Sequence, residues 1–588
     1  MRLKKPAVVL ATAALMTLAA CGGGSGGTTN PGEGPSGGQT MGEGGNAGAG
    51  KDASLTGPME VPAEASQGGT LTVLTDQVPS TLDPTRAYYV DSTAILSDLV
   101  TRSLTQYVYD PDTNDMVLAP DMATDLGQHN ADNTEWTFTL KDGLKYEDGS
   151  PVKAEDVAYA VKRSFAIEEL PDGPTYQTTF FLDGDKYKGP FKDGDNYKGV
   201  EVNGNSITIK MRRPFTDMDY YASFPAFTAI PEAKDDPANY GNHPMATGPY
   251  KFESYKPGSE LTLVKNDQWD PNTDPGRIQA VDKWEFKFGQ DTSKLENVII
   301  NDTGTAQTTL TYDNVTPAGY RQIQSDPDRL VTGTSPCTYM WFLDMTKIKD
   351  INIRKAIGYA FPYQNYWKSL GEIQGVTRVP GTSILPPGTA GRVEYDALGN
   401  GGVKTMADKA KQILKENNAL GYEIKFLYAT DDEQSVEGKD QIVKGLEAAG
   451  FKATPIASTS ETIRTDRTDY DSPINVRSSG WCSDWPSGGS WFPAQWDGRL
   501  VGLEGMPNPS NFKVKEMDKL QDHILDDLSP QEAAKAWGEF DKKMETDYYP
   551  AVNLGYSGTA MLRGSKVGGM YNDNVRGMPT FGLMYITK

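Results

Sequence analysis

Four tryptophans, a cysteine and an aspartate crowd into twenty residues, RSSGWCSDWPSGGSWFPAQW, from Arg477 to Trp496. An indole has a broad apolar face and a single donor, so Trp481, Trp485, Trp491 and Trp496 suit a wall that is dry on one side and wet on the other. Asp484 stands among them. A carboxylate in such surroundings needs a cation or several donors to offset its desolvation. Two readings follow. In one, Asp484 meets a cationic ligand group in a cleft. In the other, the segment is a core loop with packed aromatics and an aspartate that caps a turn, the commoner fate of aromatic clusters.

Other chemistry has little support. The three histidines, His129, His243 and His523, lie far apart without metal-ligand spacing, and no HExxH, GxSxG, phosphate-loop or dinucleotide glycine pattern occurs. The expectation is a protein that is not an enzyme and holds no cofactor or metal. The formal net charge is −22, becoming −25 without Arg2, Lys4 and Lys5. Nucleic acid is thereby disfavoured as a partner, because phosphate binding needs clustered Lys and Arg. Cationic or zwitterionic ligands are favoured.

The N-terminus speaks to the compartment. Basic Arg2, Lys4 and Lys5 precede an uncharged run, Ala7 to Ala20, too short to span a bilayer. Leu18-Ala19-Ala20-Cys21 looks like a bacterial lipobox, in which Cys21 receives diacylglycerol and becomes the mature N-terminus; the alternative is an ordinary secretory signal. Acyl chains in pairs anchor stably. Residues 21–67, rich in Gly, Ser, Thr and Pro, read as a flexible tether of roughly 35–40 Å root-mean-square reach. With Cys21 lipidated, Cys337 and Cys482 form an even pair in an oxidising compartment. A disulfide is the economical expectation, against two buried free thiols.

The remaining chain alternates strand and helix patterns. Thr70 to Thr75 alternates as a strand, and Ser92 to Leu104 has helical spacing at Ile95, Leu96, Leu99 and Val100. Trp136, Phe138 and Leu140 alternate again, Asp142-Gly143 turns, and Lys153 or Ala154 opens an amphipathic helix. Met406, Ala410, Ile413 and Leu414 mark a helix over Thr405 to Asn417, followed by a strand at Glu423 to Tyr428 and a helix at Gln441 to Ala449. This order predicts an α/β lobe.

The passage from Asp125 to Phe165, with its KDGLKYEDGSPVKAEDVAYAVKR block, resembles the signature of the family 5 extracellular solute-binding proteins, the peptide-binding components of ABC importers. Further landmarks follow in order. His243 to Phe252 resembles the family's GTGPY element, and Leu261 to Pro271 its following strand and turn. Phe342 to Ala360 resembles a helix entry, and GWCSDW at Gly480 to Trp485 resembles the GWxADYPDP region. Two stretches depart from the pattern. Leu182 to Val200 repeats DGDKYKG and DGDNYKG without calcium-loop ligands at the fifth and twelfth positions, and reads as a polar hairpin insertion. Trp485-Pro-Ser-Gly-Gly-Ser replaces an acidic-proline sequence.

The resemblance implies a fold of two lobes joined by two crossovers, α/β and of the periplasmic-binding-protein type II kind, with a subdomain inserted in the first lobe. The expected boundaries are a signal peptide at 1–20, the tether at 21–67, lobe I at 68–110, 236–333 and 552–588, the subdomain at 111–235, and lobe II at 334–551. It implies oligopeptide capture by hinge closure and delivery to the permease and ATPase subunits of an importer, by a monomer anchored outside the cell membrane. Peptide backbones would be held by main-chain hydrogen bonds, which give affinity without sequence choice. Asp484 stands where the family binds the peptide ammonium, with Trp481 and Cys482 beside it. Tyr88 and Tyr89 are expected to face the cleft, and Arg477 to meet a carboxylate at the far end of the peptide or, equally, to be a solvated surface arginine. The scaffold also suits metal chelates, haem, antibiotics or oligosaccharides, the last because sugars stack on indoles, and it serves peptide-signal receptors.

Overall fold

Alternation in Thr70–Leu74 turns Leu71 and Val73 to one side, where both are buried. A computed structural model, describing residues 49–503 and 506–588, places this strand in a five-stranded mixed sheet. The order is Tyr250–Lys256, Glu260–Lys265, Lys283–Lys287, Thr70–Leu74, Thr309–Leu310. Leu261, Leu263, Trp284 and Phe286 join Leu71 and Val73 against Ile95, Leu96 and Leu99. The last three belong to the expected helix, which begins as α over Val90–Ile95 and continues with a π turn over Leu96–Val100.

A second core belongs to the inserted part. Glu135–Thr139 and Ser206–Lys210 pair antiparallel within a four-stranded sheet, and helix Ala154–Arg163 packs Val157, Ala158 and Val161 onto Trp136, Phe138, Ile207 and Ile209. Thr105–Asp110, which the sequence assigned to the first lobe, pairs with Asp115–Pro120 and adds Tyr107 and Tyr109 to this core. The 182–200 run is no polar hairpin. Its tyrosines, Tyr187 and Tyr197, stack at 4.4 Å against Phe165 in the core, joined by a short helical turn at Pro190–Asp193.

The expected tether is shorter than residues 21–67. Gly50–Lys51 adds a parallel strand beside Val117 and Leu118, Lys51 pairs with Asp219 at 2.6 Å, and Ala65–Ser66 pairs with Tyr585–Thr587. Backbone groups able to complete a sheet edge offset the low apolar content that suggested an unstructured segment. The leader, Cys21 and the rest of the tether lie outside the described residues.

Three strands carry the second lobe and its junction: β1 (Leu330–Leu343), β2 (Val476–Cys482) and β3 (Ala551–Leu562). β1 and β3 run antiparallel from Leu330↔Leu562 to Phe342↔Ala551. One end of the pair packs with Leu295, Ile299 and Val315, and the other buries Met340, Trp341 and Phe342 in second-lobe cores. The pair is therefore continuous from one lobe's core into the other's. The ladder breaks between Thr334 and Thr338, around Pro336, which has no N–H to give. Beyond β1, Glu423–Ala429 and Lys452–Ser458 pair in parallel through the crossover helix Glu433–Ala448.

Candidate functional site

β2 occupies the margin of its sheet, pairing with β1 on one side only. Its last residue, Cys482, stands directly opposite Cys337, and the two are joined by a disulfide. Peptide mapping without reduction is expected to recover this linked pair; free thiols at both positions in exported protein would contradict it.

Past Cys482 the chain makes a tight loop stitched by its own small residues. Ser483 N donates to Pro336 O at 2.8 Å, and Ser490 Oγ donates to the carbonyls of Trp485 and Ser487 at 2.9 Å. Gly488 lies so close to Trp537 that a Cβ there would fall 2.4 Å from the tryptophan Cβ. This accounts for the PSGGS departure: the turn needs small residues to fit between two packed elements.

The loop presents Asp484 where three parts of the chain meet. Tyr88, from the first lobe, donates its hydroxyl to Asp484 Oδ2 at 2.9 Å, and Tyr176, from the short helix Tyr176–Phe180 of the inserted part, donates to the same oxygen. Oδ1 accepts no hydrogen bond among the described residues, and no basic side chain among them pairs with this carboxylate. Burial pushes its pKa up to about 6, a rise that the two hydroxyls only partly oppose. Burial and the neighbouring Asp484 charge push the Tyr88 phenol up as well.

The four tryptophans separate. Trp491 and Trp496 are buried in the second-lobe core. Trp485 crosses to the inserted part, packing edge-on to Tyr176 at 4.7 Å and Phe215 at 6.0 Å, and its Nε1 donates to Asp217 Oδ2 at 2.8 Å. Only Trp481 of the four borders a cavity of about 690 Å³ between the lobes, and its Nε1 is held by Ser490 O at 2.9 Å. Three of the four thus offer no open face for a sugar, which removes the motive for an oligosaccharide.

Tyr88, Tyr176, Trp481 and Arg477 all line that cavity. Arg477 is not a solvated surface residue: its side chain is 1% exposed, and Nη1 pairs with Asp344 at 2.9 Å. Tyr89 is exposed and lines a second cavity of about 700 Å³ together with Asp91, Asp313 and Tyr339. Cys482 carries the disulfide at the start of the loop. Sequence reasoning missed Tyr176 and Arg467. Tyr176 sits in GPTYQTTF, where no periodicity marks it, and both are brought in by tertiary packing alone.

An α/β fold with separate cores on a shared pair of long strands, and a partly unmet carboxylate held by two tyrosines that line a cavity between them, defines an extracytoplasmic solute-binding protein. The chain belongs to the bacterial extracellular solute-binding proteins, family 5, whose model matches residues 117–499. These are binding proteins, not enzymes. Oligopeptide-binding protein OppA of Bacillus subtilis (strain 168) is 26% identical over 326 residues, covering 51% of this chain and 56% of that protein, so the match spans little more than half of OppA. Probable D,D-dipeptide-binding periplasmic protein DdpA of Escherichia coli (strain K12) is 23% identical over 465 residues, covering 76% and 81%. Among solved structures, clavulanic acid biosynthesis oligopeptide binding protein 2 superposes with a TM-score of 0.80 at 24% identity, covering 92% of this chain and 99% of that one. Listeria monocytogenes OppA bound to peptide gives 0.63 at 18% identity, covering 89% and 100%.

Proposed function

We propose that this protein captures oligopeptides outside the cytoplasm and hands them to the permease of an ABC importer. The observation that carries the reading is Asp484: a carboxylate in a desolvating site, given two neutral hydroxyls on one oxygen and, among the described residues, nothing on the other. A peptide α-ammonium supplies the missing charge and donors. The marginal position of β2, which runs directly into the Asp484 loop, supports the main-chain part of the reading, since an unpaired strand edge can accept an extended peptide as a further strand. The names of the relatives, oligopeptide- and dipeptide-binding, agree with it. Capture proceeds by closure of the lobes about the β1–β3 pair, with the lobe and subdomain assignment of the sequence as the working division. Native mass spectrometry of the purified protein, with sequencing of whatever is released, tests the ligand class; release of a non-peptide solute would overturn it.

The body is held to the outer face of the membrane through lipidated Cys21 and acts as a monomer. Among the described residues no helix is long and apolar enough to cross a membrane. Cys21→Ala is expected to release the protein into the medium. Retention of that variant on membranes after a high-salt wash would point to another anchor.

A further inference from the structure

The cavity beside Tyr88 and Tyr176 has an uneven charge. Four arginines line it, Arg213, Arg467, Arg477 and Arg499, against one carboxylate, Asp497. Two of the four are spoken for: Arg213 pairs with Asp526 at 2.7 Å, and Arg499 pairs with Asp497 at 2.7 Å and Asp522 at 2.9 Å. The other two are not fully met. Arg467 is half-buried yet forms no ion pair among the described residues, and its one side-chain hydrogen bond runs to Ser478 O at 3.3 Å. Burial, and then the charge of Arg464, draw its pKa down, as expected of a guanidinium without an anion. Arg477 spends Nη1 on Asp344 and Nε on Arg467 O at 3.0 Å, but its buried Nη2 donates to nothing among the described residues. Buried donors are rarely left so.

We infer that this cavity selects an acidic side chain, Asp or Glu, near the N-terminus of the bound peptide, received by Arg467 and by Nη2 of Arg477. The inference rests on the peptide reading above and adds a preference to it. The position follows from the lining: Tyr88 and Tyr176, the two partners of Asp484, are part of the same cavity wall. A ligand whose ammonium sits on Asp484 therefore puts its first side chains into this space. A carboxylate there gives Arg467 the anion it lacks and accepts from the one unspent nitrogen of Arg477, both through charge-assisted hydrogen bonds. A glutamine of equal size cannot supply the charge.

The test is calorimetric titration of the whole protein with tetra-alanine and with peptides in which Glu or Gln replaces the first, second or third alanine. At one of these positions Glu is expected to bind at least tenfold more tightly than Gln. In Arg467→Gln that ratio, taken against tetra-alanine binding to the same variant, is expected to fall towards one, and Arg467→Lys to keep part of it. Equal binding of Glu and Gln at all three positions overturns the inference but leaves peptide binding standing. Failure of every tetrapeptide to bind overturns both. C-terminally amidated tetra-alanine distinguishes the remaining source of a carboxylate. If amidation weakens wild-type binding but not that of Arg467→Gln, the arginines serve the peptide terminus, and the side-chain assignment is wrong.

Discussion

Asp484→Ala is expected to weaken peptide binding by about 3–5 kcal/mol, two to four decades in Kd, because it leaves an ammonium unpaired in a closed cleft. N-acetylation of the peptide removes the same interaction from the other side and is expected to weaken wild-type binding by a comparable amount. The two losses should not add. Calorimetry on the four combinations of protein and peptide decides the matter, and full additivity would make Asp484 a structural cap. pH offers an independent check. In the ligand-free protein Asp484 titrates at about 6, whereas pairing with an ammonium requires the ionised form. Affinity is expected to be level above that pH and to fall by up to about tenfold per unit below it. Stability runs the other way. The folded pKa lies above the ordinary 3.8, so the proton stabilises the fold. That contribution is complete below pH 3.8 and is lost as pH rises through 6. Asp484→Asn is therefore expected to melt higher than wild type at pH 7–8 without ligand, while binding peptide poorly.

Trp485→Ala is the second large effect. Removing a buried indole costs about 3–5 kcal/mol, and here the backbone belongs to one lobe while the ring sits in the core of the inserted part. The loss falls on the contact between the two rather than on either core. Small-angle scattering of the variant is expected to show a larger radius of gyration, and peptide affinity to fall, while the thermal transition of the cores moves less. Trp485→Phe keeps much of the packing and gives up the hydrogen bond to Asp217, which burial already pushes towards the protonated form. It should lie between the two. An Ala variant as compact as wild type, with unchanged affinity, would sink this account.

The elements that could be read from the sequence are those whose periodicity is local. The helix expected over Thr405 to Asn417 spans Ala407–Glu416, and the strand at Glu423 to Tyr428 spans Glu423–Ala429. The Asp484 loop was legible because an unusual composition is compressed into a few residues. What could not be read is what distance in sequence hides. Tyr176 reaches Asp484 across 308 positions, and nothing near Tyr176 announces it. The tryptophans looked alike in the sequence, yet packing sends Trp481 to a cavity wall, Trp485 to a neighbouring core, and Trp491 and Trp496 to their own. Gly50–Lys51 was hidden for a different reason: an edge strand of two residues is recruited by backbone groups, which composition does not reveal.

The break in the β1–β3 ladder has a mechanical consequence. It lies at Ser335–Cys337, and this short stretch also holds the Asp484 loop twice, through Pro336 O to Ser483 N and through the Cys337–Cys482 bridge. In the closure proposed here the fulcrum and the ligand grip are thus clamped together. A rotation at the fulcrum would leave the grip almost unmoved on its own side and swing Tyr88 and Tyr176 towards or away from it. Peptide capture would then be sensed at the point of least travel, where a small torque from a newly bound ammonium is levered into a wide sweep of the opposite wall.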